Sequence, residues 1–450
     1  MTLRTLTSRA RSRLFRTLIG GAVLGAVGGC SWEDTIKVVD PDVINPNDLA
    51  SPAAATTLRN GVILRVAQAT SGGENVVLLG GLLADEWRSG DTFEQRNTTD
   101  QRNLIPENTF LASALRAPMR VYVEAQTAID VTRRFQPTPR SNVGLMFALA
   151  GYSAVLIGEH FCNGIPYSTI ENGQVIDGVP EPADNSNIRA IAFADSALLE
   201  TSGPVADSTR VSSLAAVVKG RALLNRGQFA AAAAAVASVP TSFTYQSFHS
   251  VNSSTNQNWA LNSNTRRYVL SNLEGGNGLP FRTANDPRLR SAVGTGTRRL
   301  AFDTETPFFE TTNFAQFGPV TLISGIEARL IEAEAALQAG SPSQMLSTLN
   351  LLRTQSVGGV AGLAPLADPG TLVSRVDLVM RERAFWMFGT GHRLGDLRRL
   401  VRQYNRPAES VYPTGLFHKG GGTYGTMVVL PVSFDERNNP NFKGCTDLNP

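Results

Sequence analysis

The chain is poor in the residues on which catalysis and metal binding usually depend, with four histidines and three cysteines among 450 residues. His160, His249, His392 and His418 stand apart from one another and from cysteine or acid clusters at ligand spacing, which argues against a zinc site. No Gly-x-Ser-x-Gly elbow, phosphate loop or dinucleotide fingerprint occurs. Asp85 and Glu86 are adjacent carboxylates, but neighbours in sequence rarely address one substrate from opposite sides. They read instead as a solvated loop or a helix cap. No cofactor and no metal is implied, and the expected work is binding, not catalysis.

A basic surplus is also missing. The formal charge is +3, from 41 basic and 38 acidic residues, but five of the arginines (Arg4, Arg9, Arg11, Arg13 and Arg16) precede position 30 with no acid among them. Without them 36 basic residues face 38 acidic ones, a net charge near −2, which removes the ground for nucleic-acid binding. Those arginines lead into an apolar run from Leu14 to Val27 and then Val27-Gly28-Gly29-Cys30. The run is short for a membrane span, and small residues before a lone cysteine mark a lipoprotein signal peptide, residues 1–29, with lipidation at Cys30. Acyl chains on Cys30 would hold the mature protein to a membrane. In an oxidising compartment Cys162 and Cys445 are either buried thiols or a disulfide tying the C-terminal tail to the middle of the chain.

Residues 30–52 are rich in Asp, Asn and Pro and read as a tether along the surface. From there the apolar spacing predicts helices over Ala53–Thr70, Val76–Leu83, Ser113–Phe135, Gly144–Gly158 and Asn187–Glu200. Ser212–Arg226 and Gln228–Val239 make a tight hairpin about Gly227, and Gly220 with the run Ala230–Ala235 lets two helices approach closely, as in tetratricopeptide units. A similar pair recurs over Gly325–Ala339 and Pro342–Gln355, with Ile326, Leu330, Ala333 and Leu337 on one face. The expected fold class is mainly α, a tetratricopeptide-like scaffold of helical pairs with long irregular ligand-binding loops, in one domain over residues 53–450. Between about 241 and 324 the helical period disappears, which in a compact domain points to a functional insert.

Arg381 to Leu400, RERAFWMFGTGHRLGDLRRL, is the most informative run. It reads as helix, turn, helix, with Gly389 and Gly391 supplying the turn. Its many charges must pair or stay at the surface. Glu382, Arg383, Gly391, Arg393, Asp396, Leu397 and Arg399 fall on positions that resemble the C-terminal signature of the SusD/RagB family of outer-membrane nutrient-binding lipoproteins. His392 is a usual companion. Gly164-Ile165-Pro166, Asn285-Asp286-Pro287-Arg288, the Glu327–Ala335 helix and Leu349-Asn350-x-x-Arg353 resemble further landmarks of the same family. Where the family tends to carry acids this chain has Trp386 and Thr390, so an ionic network built from those acids would be thinner. Trp386, on the apolar helix, reads as core.

The resemblance implies a lipid-anchored outer-membrane protein facing the cell surface, since Glu33 and Asp34 behind the lipid cysteine resemble a surface-export signal, that binds an oligomeric nutrient, foremost a glycan. It further implies delivery to a SusC-like, TonB-dependent transporter. Sugars need flat apolar faces with planar amides and charges beside them. Trp87, Arg88, Asp91, Phe93 and Arg96 fit that chemistry, in the region where family members commonly place ligand contacts. So do Asn258, Trp259 and Tyr268. Binding of peptides or other non-glycan polymers, and a tetratricopeptide-like envelope scaffold, are the competing expectations.

Overall fold

The computed structural model describes residues 49–171 and 174–450; the expected signal peptide, Cys30 and most of the tether lie outside the described residues. Helix starts follow local capping chemistry. The Pro52–Ser71 helix opens with the Ser51 hydroxyl accepting from the Ala54 amide at 3.1 Å and proline in its first turn. Asn75 and Asn108 cap the Val76–Leu83 and Thr109–Phe135 helices in the same way. The next helices, Ser141–His160, Asp184–Leu199, Val205–Asn225 and Phe229–Val236, each pack against the one before, and Gly325–Gln338 and Pro342–Thr354 continue the row. The expected mainly α scaffold of paired helices is the architecture observed. Ser141–His160 is long and apolar enough to cross a membrane, yet it is sandwiched inside the protein as its central core helix.

Close approach needs missing side chains. A Cβ at Gly220 would lie 2.4 Å from Val236 Cγ1, so the Val205–Asn225 and Phe229–Val236 helices meet where only hydrogen fits. Gly389 and Gly391 both take left-handed φ, +66° and +79°, and turn the Leu372–Trp386 helix into the Arg393–Arg402 helix.

Most charges of this hairpin are buried and paired; Arg398 is buried too but bonds the Gly158 carbonyl at 2.8 Å and no carboxylate among the described residues. Asp396 accepts two hydrogen bonds from Arg383 at 2.9 Å and one from Arg399 at 2.7 Å, and Arg399 also engages Glu334. Arg393 grips Asp85 at 2.5 and 2.8 Å, while Glu382 binds Arg288 and Arg353. His392 Nε2 lies 2.9 Å from Glu327 Oε1 without hydrogen-bond alignment. Asp85 and Glu86 therefore correct the expectation of a solvated loop: both are buried, Asp85 against Arg393 and Glu86 against the Gly389 amide at 2.9 Å. They join the first loop to the hairpin 303 and 308 residues later, Asp85 as a carboxylate paired with Arg393 because an unpaired buried charge is costly.

Among the described residues three antiparallel strand pairs involve the insert, one of them Ser291–Val293 with Phe309–Thr311. Thr244–Ser247 pairs with Val320–Ser324 at the base of the insert, and Tyr268–Leu270 pairs with Trp87–Ser89 further out. At the far end Cys162 and Cys445 form a disulfide, with Cα atoms 5.9 Å apart, so the tail is fastened to the end of the central helix.

Candidate functional site

Most residues singled out from sequence come together, but inward. Strand pairing sets Trp87 edge-on to Tyr268, ring centroids 6.2 Å apart, and Phe388 covers another side at 5.1 Å. Trp87 and Tyr268 are fully buried, which corrects their assignment as open sugar platforms: the pairing that orders this loop also covers its aromatic faces. Asp91 and Arg96 are buried too, Asp91 receiving Arg267 at 2.7 Å as well as Arg96, and Arg96 also reaching Glu74. Asn258 is buried against Asn75 at 3.0 Å and holds the Thr70 carbonyl. These three clusters are scaffold joints: Asp91, Arg96, Asn258 and Tyr268 are engaged by protein partners, although Trp87 Nε1 and Arg96 Nε are left without one. Arg88 is half-buried on Glu274 at 2.7 Å. Phe93, 46% exposed, and Trp259, half-buried, keep accessible faces.

The open concavity lies elsewhere, with a volume of about 430 Å³. Its floor is Phe385, Trp386, Met387, Phe388 and Thr390, at the end of the Leu372–Trp386 helix and the start of the glycine turn. One wall is the insert, through Arg288, Arg290, Asn313 and Phe314; the opposite wall is Gly358–Val360. Trp386 is half-buried: it packs against the hydrophobic core, as expected of it, and also lines this cleft. Arg288 lies under its ring at 5.1 Å, and Gly358, with φ +61°, passes beside it, where a Cβ would be in ordinary contact at 3.9 Å from Trp386 Cζ3. Phe314 seats on Gly389, where a Cβ would be 2.7 Å from the ring. The insert thus closes on the hairpin through a glycine that cannot be replaced without strain.

Two signals in the sequence bore on this site without locating it. Trp386 and Thr390 are the two departures from the family signature, and both line the cleft. The aperiodic insert supplies much of its wall. Arg290, Asn313 and Phe314 carry no local pattern that distinguishes them from other loop residues.

A metal is a second chemical option, and the residues present fit it poorly. Asp100, Glu274 and His418 offer ligand-type atoms within 4.8 Å of one another. Both Glu274 oxygens, however, already accept, from Arg88 at 2.7 Å and from Tyr424, while His418 Nε2 meets Asp100 at 2.9 Å. The cluster ties the loop over residues 418–424 to the first loop.

Beneath the cleft, burial pushes the Glu86 carboxyl up to about 8, only partly opposed by the Gly389 amide and reinforced by Asp85. The folded protein therefore keeps a proton that the unfolded chain releases above its ordinary value of 4.5. The contribution of this group to stability is complete below that value and falls as pH rises toward about 8. Glu86→Gln mimics the protonated form, so the melting temperature of the variant relative to the parent is expected to climb between pH 5 and pH 8.5. Parallel melting curves across that range would contradict a protonated Glu86.

No family model and no curated protein matches the sequence. Solved structures do match in fold. A SusD-like carbohydrate binding protein from Bacteroides vulgatus superposes with a TM-score of 0.62 at 13% identity, covering 87% of this chain and 97% of that one. A SusD superfamily protein from Bacteroides thetaiotaomicron gives 0.63 at 14% identity, with 88% and 100% covered. A SusD/RagB family protein from the same species gives 0.63 at 15%, with 86% and 94% covered. At such identities the likeness establishes the fold, which is SusD-like, and leaves the ligand to the chemistry of the site.

Proposed function

We propose that the protein binds an oligosaccharide in the cleft between the insert and the C-terminal hairpin. The observation that carries this reading is the cleft's composition. An indole and a phenyl ring, Trp386 and Phe314, stand beside the guanidinium donors of Arg290 and the Asn313 amide, one N–H of which is given to the Arg288 carbonyl; the Thr390 hydroxyl also lines the cleft but donates to the Met387 carbonyl. Flat apolar faces suit sugar C–H surfaces and the donors suit hydroxyls. Among the described residues that line it there is no Asp, Glu, His or Cys, so no acid and base pair stands ready for glycoside hydrolysis. Carbohydrate binding in a neighbour of the same fold supports the same conclusion. Phe93 and Trp259 keep exposed faces and are proposed as outlying contacts. Lipidation at Cys30, outer-membrane anchoring and transfer of the ligand to a SusC-like, TonB-dependent transporter complete the proposal; they rest on the lipobox and on the signature resemblance.

The test is calorimetry on the mature chain with Cys30 replaced, against neutral and acidic glycans and peptide digests. Trp386→Ala is expected to weaken a glycan by about ten-fold or more, the loss of one stacking anchor. Trp259→Ala should do less. A glycan bound equally well by both variants would move the site out of this cleft, and peptide hits with silence across the glycans would transfer the role to a peptide binder.

A further inference from the structure

Within the reading just given, and resting on it, the charge of the cleft goes further. Arg288 and Arg290 line it, and among the described residues that line it there is no carboxylate. The two arginines are not equivalent. Arg288 is buried and fully engaged, with Asp286 at 2.7 and 2.8 Å and Glu382 at 2.6 and 3.2 Å, so its charge is already compensated. Arg290 is exposed, and its guanidinium makes one hydrogen bond, to the Thr312 carbonyl at 3.2 Å, with no carboxylate partner.

The backbone of Arg290 is nevertheless pinned. Its amide donates to Asn313 Oδ1 at 3.0 Å, and its carbonyl accepts from the Thr311 hydroxyl at 3.1 Å and the Thr312 amide at 3.0 Å. A free, always-charged fork is thereby held at the rim of a cleft floored by aromatic rings. Such a fork is matched by an oxyanion that offers two acceptor oxygens for parallel hydrogen bonds, which a neutral sugar does not present. We infer that the preferred ligand is an anionic oligosaccharide, carrying carboxylate or sulfate groups, with one such group on Arg290 and an adjacent sugar face on Trp386.

The experiment titrates the mature, Cys30-replaced chain with oligogalacturonate and with a sulfated oligosaccharide. Neutral oligosaccharides of equal length serve as reference, each at 20 and 200 mM NaCl. Expected is binding of at least one anionic probe about ten-fold tighter than the neutral ones, weakened by salt and weakened about ten-fold by Arg290→Gln. Arg290→Lys, which keeps the charge and loses the fork, should fall between. Carboxylated and sulfated probes then identify which anion is read. Neutral oligosaccharides bound as tightly, sensitive to Trp386→Ala but indifferent to Arg290→Gln and to salt, would overturn the anionic assignment and leave the cleft as the sugar site. Anionic binding untouched by both substitutions would overturn it as well, and absence of any glycan binding would overturn the functional reading beneath it.

Discussion

Asp396→Ala is expected to cost about 3–5 kcal/mol of stability, the range for removing one partner of a buried ion pair. The carboxylate is 3% exposed and stands between two guanidinium groups, Arg383 and Arg399, which donate three hydrogen bonds to it. Burial alone would raise its proton affinity, yet the charges and hydrogen bonds of Arg383 and Arg399 outweigh that and hold it far below the usual carboxylate range. Without it, Glu334 is left as the carboxylate facing both arginines. Tyr404, donating to Glu334 at 2.6 Å, already occupies part of that acceptor's capacity. Since whole domains are stable by about 5–15 kcal/mol, the alanine variant should melt far below the parent. Asp396→Asn, which keeps one acceptor, should lie between them. Urea denaturation decides the matter: a loss under about 1 kcal/mol for the alanine variant would mean that the network is not carrying stability through Asp396.

Opening the Cys162–Cys445 disulfide is expected to cost about 2–5 kcal/mol, because the bond closes a loop long enough to constrain the unfolded chain strongly. The cysteines are 283 residues apart. The folded tail has other attachments. Thr446 donates to the Asn163 carbonyl at 2.8 Å, Asn163 reaches Asp447 at 2.8 Å, and the Leu430 backbone exchanges hydrogen bonds with His160 and Cys162. A Cys162→Ser, Cys445→Ser double variant should therefore fold to the same helical content and denature at lower urea. Equal midpoints in oxidising and reducing buffer would remove the disulfide from the account of stability.

Much of the fold was legible in the sequence because it depends on local rules. The spacing of Ile326, Leu330, Ala333 and Leu337 makes a helical stripe, and all but the half-buried Ile326 are deeply buried. Gly389 and Gly391 announce a turn and adopt the left-handed φ that turns require. Most charges of the hairpin, too many to leave unpaired among large apolar residues, are paired, with buried Arg398, held by the Gly158 carbonyl, as an exception. Helix starts were less legible: the Val205–Asn225 helix begins seven residues before the apolar stripe does, because its first two turns are exposed and carry no period.

Which aromatic residue lines the cleft was decided by tertiary structure alone. Trp87 sits in a polar loop rich in sugar-binding chemistry, yet Tyr268–Leu270, 181 residues later, pairs with its strand and buries it. Trp386 sits on an apolar helix that reads as core, yet a left-handed backbone at Gly358 and Gly359 passes beside it and leaves a cleft over its ring. Period and propensity specify which residues form an element and which face is apolar. Whether that face is covered depends on which distant segment packs upon it, and no local spacing of residues records that segment's position.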